Sequence, residues 1–146
     1  MRDTYTRLYI HFIWATWDRL PLLTEPVKEL AYACIWKECE ARKATVIALG
    51  GIEDHVHLLA HVPITTDLPA LVQRMKGVSS RVINQEARPE TPFKWQGSYS
   101  AFSVSSWDVP KIKGYIHNQE EYHRNGTTKP ILERINLDGE HFRDRQ

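Results

Sequence analysis

Residues 50–63 read GGIEDHVHLLAHVP and bring His55, His57 and His61 into an otherwise largely apolar stretch. Along a strand, side chains of like parity share one face. Val56, Leu58, Ala60 and Val62 then make a core-facing set, and the three histidines stand together on the opposite face. His55 and His57, two apart, can both reach one cation lying above a sheet. His61 lies four residues further on, roughly 13 Å at ~3.3 Å per residue, too far to share that cation. The bland alternative is a pair of solvated imidazoles, because a His-x-His pair alone is weak evidence of a metal.

A second group stands at residues 113–124, KGYIHNQEEYHR. Tyr115 and Gln119 are four apart and share a helical face, with Tyr122 close to it. The plain reading is an amphipathic helix that docks its Tyr and Ile residues on a sheet. A tyrosine beside a two-histidine metal site would be a different matter. A phenol with a pKa near ~10 is a poor nucleophile at neutral pH, and a cation that polarises a phosphate makes its attack feasible. Gly114, directly before Tyr115, costs a helix ~1 kcal/mol relative to Ala. It reads as a hinge or as a close packing contact.

The elements that must position these groups follow from periodicity. Residues 4–17, rich in β-branched and aromatic side chains, read as a strand. Residues 25–43 show helical spacing, with Pro26 in the first turn. Residues 44–52 form a second strand ended by Gly50 and Gly51. Residues 55–62 form a third, joined to it by a tight turn through Glu53 and Asp54. Residues 67–87 read as a helix, with Asp67 as N-cap and Leu68, Leu71, Val72, Met75, Val78 and Ile83 as its apolar stripe. Residues 93–105 supply a fourth strand. A third helix runs from about 108 to 124 and stops at Asn125-Gly126. The tail 127–146 is weakly patterned, one short helix and a frayed end. The order implies an α+β class: a ferredoxin-like βαββαβ antiparallel sheet with an added C-terminal, tyrosine-bearing helix. Its helices cover one face and leave the other open for chemistry.

Composition bounds the reading. At 146 residues, 42% hydrophobic and 25% charged, the chain reads as one domain spanning 1–146. No apolar run is long enough to span a bilayer, and the N-terminus shows no signal-peptide pattern. Cys34 and Cys39 sit apart around one helix, so the expectation is a reduced, cytoplasmic protein with no membrane partner. A net charge of +1 is uninformative about partners. Any nucleic-acid surface must therefore gather its charge locally. Arg19, Arg74, Lys76 and Arg81 are candidates for phosphates, Ser80 (or Ser79) for a neutral donor, and Trp95 and Tyr99 for stacking on unpaired bases. Each is otherwise a solvated charge or a core aromatic.

Five blocks, in order, resemble the HUH single-tyrosine transposases: insertion-sequence transposases of the 200/605 type and their domesticated REP-associated relatives. HFIWATWDRLPLL looks like the family's first strand and Arg-x-Pro turn. GGIEDHVHLLAHVP carries its His-hydrophobic-His motif, and LVQRMKGVSSRVIN its Lys-Gly-x-Ser-Ser-Arg helix. WQGSYSAFSVSS and YIHNQEEYHR resemble its last strand and tyrosine helix. The resemblance implies Tyr115 as nucleophile, with His55, His57 and Gln119 as ligands of a divalent metal, Mg²⁺ or Mn²⁺. It also implies single-stranded DNA with hairpins as substrate, cut and rejoined through a 5′-phosphotyrosine link, and a homodimer. The aromatic first strand would be a poor exposed edge, which agrees with a dimer. Tyr122-His123 stands where the family commonly has two histidines, and the tail departs from the family pattern. The alternative is therefore a domesticated hairpin-binding protein with little or no cleavage.

Overall fold

The computed structural model describes residues 4–135. Its strands are β1 (Tyr9–Ala15), β2 (Thr45–Ile52), β3 (His55–His61) and β4 (Ser100–Val104). They form one four-stranded sheet in the order β2-β3-β1-β4, with every neighbouring pair antiparallel. With α1 (Glu25–Ala41) between β1 and β2 and α2 (Leu68–Glu86) between β3 and β4, this is the expected βαββαβ architecture. The hairpin at Glu53-Asp54 forms as the spacing implied, closing on the pair Ile52 and His55. Asp67 caps α2 through a 3.0 Å bond from the Ala70 N–H.

Strand parity sets the two faces of the sheet. Phe12, Trp14, Val56, Leu58 and Ala60 are buried against Ala31, Ile35 and Cys39 of α1 and Leu71, Val72 and Met75 of α2. The opposite face is not open, contrary to the sequence-based expectation. Here α3 (Val109–His117) lays Ile112 and Ile116 on Ala48 and Leu59, making a second small core. Its apolar stripe is thus used for docking, and His55 and His57 are fully buried beneath it and the segments that follow.

Four further differences have local causes. The expected strand 93–105 shortens to β4, because Trp95 makes only an isolated bridge to Thr16 and turns into the main core. Strand β2 runs through Gly50 and Gly51 instead of ending there. A Cβ on Gly50 would lie 2.5 Å from the Ile116 carbonyl oxygen, so glycine is what lets α3 approach the sheet. The tyrosine helix breaks at Asn118 (φ −107°, ψ 25°) and resumes as α4 (Gln119–Arg124). The Asn118 side chain donates to the Gly114 carbonyl at 2.8 Å, competing with the helix ladder. Among the described residues nothing outside its own helix lies within 4 Å of a Cβ placed on Gly114, so close packing against them does not account for that glycine. Finally, β1 is interior and β2 and β4 are the edges, which removes the edge argument for a dimer based on β1.

After β1 the chain makes a short 3-10 turn, Trp17–Arg19, with both Asp18 (φ 51°) and Arg19 (φ 52°) in the left-handed region. The turn is held by Thr16 Oγ1 donating to the Leu20 carbonyl at 2.6 Å and by Asp18 N–H donating to Gln96 Oε1 at 3.3 Å. Cys34 and Cys39 are free and buried. Among the described residues, no helix is long and apolar enough to cross a membrane.

Candidate active site

Strand β3 delivers His55 and His57 to the face under α3, as parity required, and each imidazole is held through its Nδ1. His55 Nδ1 lies 2.7 Å from Asp54 Oδ1, and Arg19 Nη2 meets the same oxygen at 3.3 Å. His57 Nδ1 lies 2.9 Å from Nε2 of His11, a β1 residue that is also buried. In both rings Nε2 is left to face the space beneath the tyrosine helix. His61 is elsewhere, 3.1 Å from the Thr6 carbonyl oxygen.

Into that space come residues from three segments. Tyr115 is 2% exposed, with its ring edge-on to His57 and 4.7 Å from the ring of Tyr122. Gln119, across the Asn118 break, places Oε1 3.2 Å from His55 Nε2 and 3.1 Å from His123 Nε2. Beyond α4 the chain folds back over the site. The Lys129 N–H donates to the Tyr115 hydroxyl oxygen at 3.1 Å, and the Tyr115 hydroxyl donates to Glu133. The Glu133 carboxylate also lies 3.0 Å from His55 Nε2, 3.2 Å from His57 Nε2 and 3.0 Å from His123 Nε2.

The electrostatics follow from this crowding. Burial alone would raise the Glu133 pKa, but the imidazoles of His55 and His57, 3.0 and 3.2 Å from its oxygens, outweigh it and hold the carboxylate well below its ordinary range. Burial would lower His55, yet its bonds to Asp54 and Glu133 win and the net shift is upward. His57 goes the other way, because there burial prevails. Burial and the bond to Glu133 push the Tyr115 phenol up to about 12. The phenol is therefore protonated at neutral pH.

The residues present fit a divalent cation. Ligand atoms of His55, His57 and Glu133 all lie within 4.8 Å of one another. His57 Nε2 is buried without an aligned hydrogen bond, although Glu133 is near. A buried imidazole nitrogen in that state is destabilising unless something takes up its bonding capacity. Two nitrogens and one carboxylate oxygen, with the Gln119 amide oxygen alongside and no thiolate, make a donor set for a divalent ion rather than a Cys-based structural zinc site.

The structure brings His55, His57, Tyr115 and Gln119 together and disperses the residues considered for DNA. Arg19 is half-exposed beside the site but paired with Asp54. Lys76 directs its ammonium to the carbonyl oxygens of Gln96 and Ser98, both at 2.7 Å, and burial lowers its pKa to about 8. Its ammonium is thus held by two backbone carbonyls of the fold. Trp95, at 6% exposure, packs edge-on against Trp14 and Phe93 and donates to Ser79 Oγ. It is a core residue and not a stacking platform, which corrects the expectation. Ser79 is buried with it. Tyr99 packs partly buried against the main core, with the Lys76 ammonium 6.0 Å from its ring. Arg74 is exposed and faces Glu38, Arg81 is exposed, and Ser80 is half-buried.

Sequence reasoning missed Asp54, His11 and Glu133. Asp54 had one usable signal, its place immediately before a candidate ligand. His11 had the parity of β1, which puts it on the face shared with His55 and His57. Glu133 had none, since it comes from the unpatterned tail.

A family model described as "Transposase IS200 like" matches residues 4–119. The matched stretch holds both histidines, Tyr115 and Gln119, and ends before Glu133. Among solved structures, a candidate transposase of Deinococcus radiodurans R1 is 27% identical with a TM-score of 0.65, covering 82% of this chain and 95% of that one. A REP-associated tyrosine transposase bound to a REP hairpin is 16% identical with a TM-score of 0.63, covering 88% of this chain and 74% of that one, a likeness of fold. Comparison with curated proteins gives no match.

Proposed function

Because the chain belongs to the IS200-like transposase family, we propose that it is a metal-dependent single-stranded DNA nickase and strand transferase acting through Tyr115. The supporting observation is that one carboxylate, Glu133, touches the Tyr115 hydroxyl and both imidazoles at once, so nucleophile and candidate ligands share one small space. His55, His57 and Glu133, with Gln119 beside them, would hold Mg²⁺ or Mn²⁺ there. The bound ion would supply charge stabilisation at the scissile phosphate. Asp54 and His11 keep the two rings oriented through Nδ1. Tyr115 Oη attacks phosphorus in line, giving up its proton; the P–O3′ bond breaks and the departing 3′ oxygen is protonated. The 5′-phosphotyrosine conserves the ester's energy, so a later 3′-OH can reverse the step and join a new strand. Hairpin-bearing single-stranded DNA is the proposed substrate and a homodimer the proposed assembly, over one domain spanning 1–146.

A second reading, a hairpin-binding protein with little cleavage, is favoured by the same bond seen from the other side. Glu133 accepts the Tyr115 hydroxyl proton in a hydrogen bond and covers the phenol oxygen.

One experiment separates the roles. Protein mixed with labelled hairpin-bearing strands and Mn²⁺ should give a covalent adduct. Tyr115→Phe should bind DNA and give none, a loss of at least a hundredfold, while Tyr122→Phe still reacts. Adduct from Tyr115→Phe that vanishes in Tyr122→Phe would move the nucleophile to Tyr122. No adduct from any protein that binds the hairpin would favour the second reading.

A further inference from the structure

The two rings in the site are held by different partners, a carboxylate on His55 and a third histidine on His57. His11 stands on β1, cross-strand from Leu59 and Phe102, and is 1% exposed. Its ring stacks on His57 with centroids 5.1 Å apart and an interplanar angle of 25°. The contact between them is His11 Nε2 to His57 Nδ1 at 2.9 Å. Two neutral imidazoles joined by one hydrogen bond hold one proton between those two nitrogens. If His57 donates, its Nε2 carries a lone pair; if His11 donates, His57 Nε2 carries a proton and cannot be a ligand. His57 Nε2, although 3.2 Å from Glu133 Oε2, makes no aligned hydrogen bond to it. A divalent ion held by His55, His57 and Glu133 would take the Nε2 lone pair, and that requires the proton shared with His11 to sit on His57 Nδ1. In that tautomer His11 carries its own proton on Nδ1, which is buried without a partner among the described residues, a cost that an ion bound at His57 Nε2 would offset.

We infer that His11 is a positioning residue: by accepting the Nδ1–H of His57 it holds His57 in the tautomer whose Nε2 lone pair faces Glu133, His55 and Tyr115. The inference rests on the proposed reading of His55 and His57 as metal ligands, but it concerns a proton position that exists with or without metal. A neutral acceptor orients the ring without adding charge to a site that already holds Asp54 and Glu133. Replacing it by a group that cannot accept frees His57 to take the other tautomer, at which point half of the ligand pair is masked. Outer partners of this kind typically account for ten- to hundredfold in metal affinity.

The test uses full-length protein with ¹⁵N-labelled histidine, free of metal and DNA, and reads the ring-nitrogen shifts and proton couplings of His57. Wild type should show His57 protonated at Nδ1. His11→Leu should shift His57 toward the Nε2–H form and weaken Mn²⁺ binding at least tenfold, measured by titration of Mn²⁺ alone. His11→Gln, whose amide oxygen can accept, should restore both. Nε2–H in wild-type His57, or an unchanged tautomer and affinity in His11→Leu, overturns the inference. Should His11→Leu fail to fold, the wild-type and His11→Gln spectra still decide it. Should no variant bind Mn²⁺ while the tautomers behave as stated, the metal reading fails and the tautomer assignment stands.

Discussion

His55 Nε2 is the nitrogen for which a proton and a divalent ion would compete. Its pKa is raised because the bonds to Asp54 and Glu133 outweigh burial, so the protonated ring persists above the ordinary value of 6.5. A metal binds only the deprotonated ring. Apparent Mn²⁺ affinity should therefore rise about tenfold per pH unit up to the raised His55 pKa and level off above it. Isothermal titration across pH 5.5 to 9 checks this, and Asp54→Asn should move the break to lower pH. At this scale much of the site was legible. Parity found the histidine pair, and four-residue spacing put Tyr115 with Gln119. The partners that tune them were not legible, because Glu133 lies 76 positions from His57 and no periodicity links them. Trp95 was misread for a related reason. A lone aromatic between turn residues looks alike whether it faces solvent or fills a core.

At the scale of elements, the site depends on how closely the tyrosine helix approaches β2. Gly50 permits that approach, and Gly114 in α3 has open space around it. The two glycines should respond oppositely to alanine. Gly50→Ala forces the Ile116 carbonyl away and should cost about 1–3 kcal/mol. Gly114→Ala should gain about 0.5–1 kcal/mol from helix propensity alone. Differential scanning calorimetry should show Tm falling in the first and rising in the second, by about 2–4 °C per kcal/mol. The sequence pattern read β1, both long helices and the hairpin well, because each presents a strong apolar period or a recognisable cap. It overran β4 and missed the break at Asn118. Both errors fall where one side chain, Trp95 or Asn118, makes a bond that outweighs the local propensity.

For the whole molecule, the question is what covers the sheet's free edges. Among the described residues strand β4 has only β1 beside it, and the nearby Trp107 is 92% exposed. Pairing of β4 with its copy across a twofold axis would use that edge and cover the indole. Sedimentation at micromolar concentration should give a dimer, and Trp107→Ser should weaken it at least tenfold. A monomer would remove the homodimer from the proposed reading.

The segment that carries Lys129 and Glu133 lies over Tyr115 and both histidines, and this bears on time as much as on position. A DNA strand cannot reach Tyr115, the proposed nucleophile, at 2% exposure until that segment moves. Its departure is a unimolecular event that no excess of DNA can hasten. With DNA saturating, the observed rate of adduct formation should therefore reach a plateau set by the opening step. Glu133→Ala, which loses the bond to Tyr115 and the close approach to His55 and His57, should raise the plateau in stopped-flow quench measurements wherever the adduct still forms. A rate that climbs linearly with DNA to the highest concentration would mean that the segment is already open in solution.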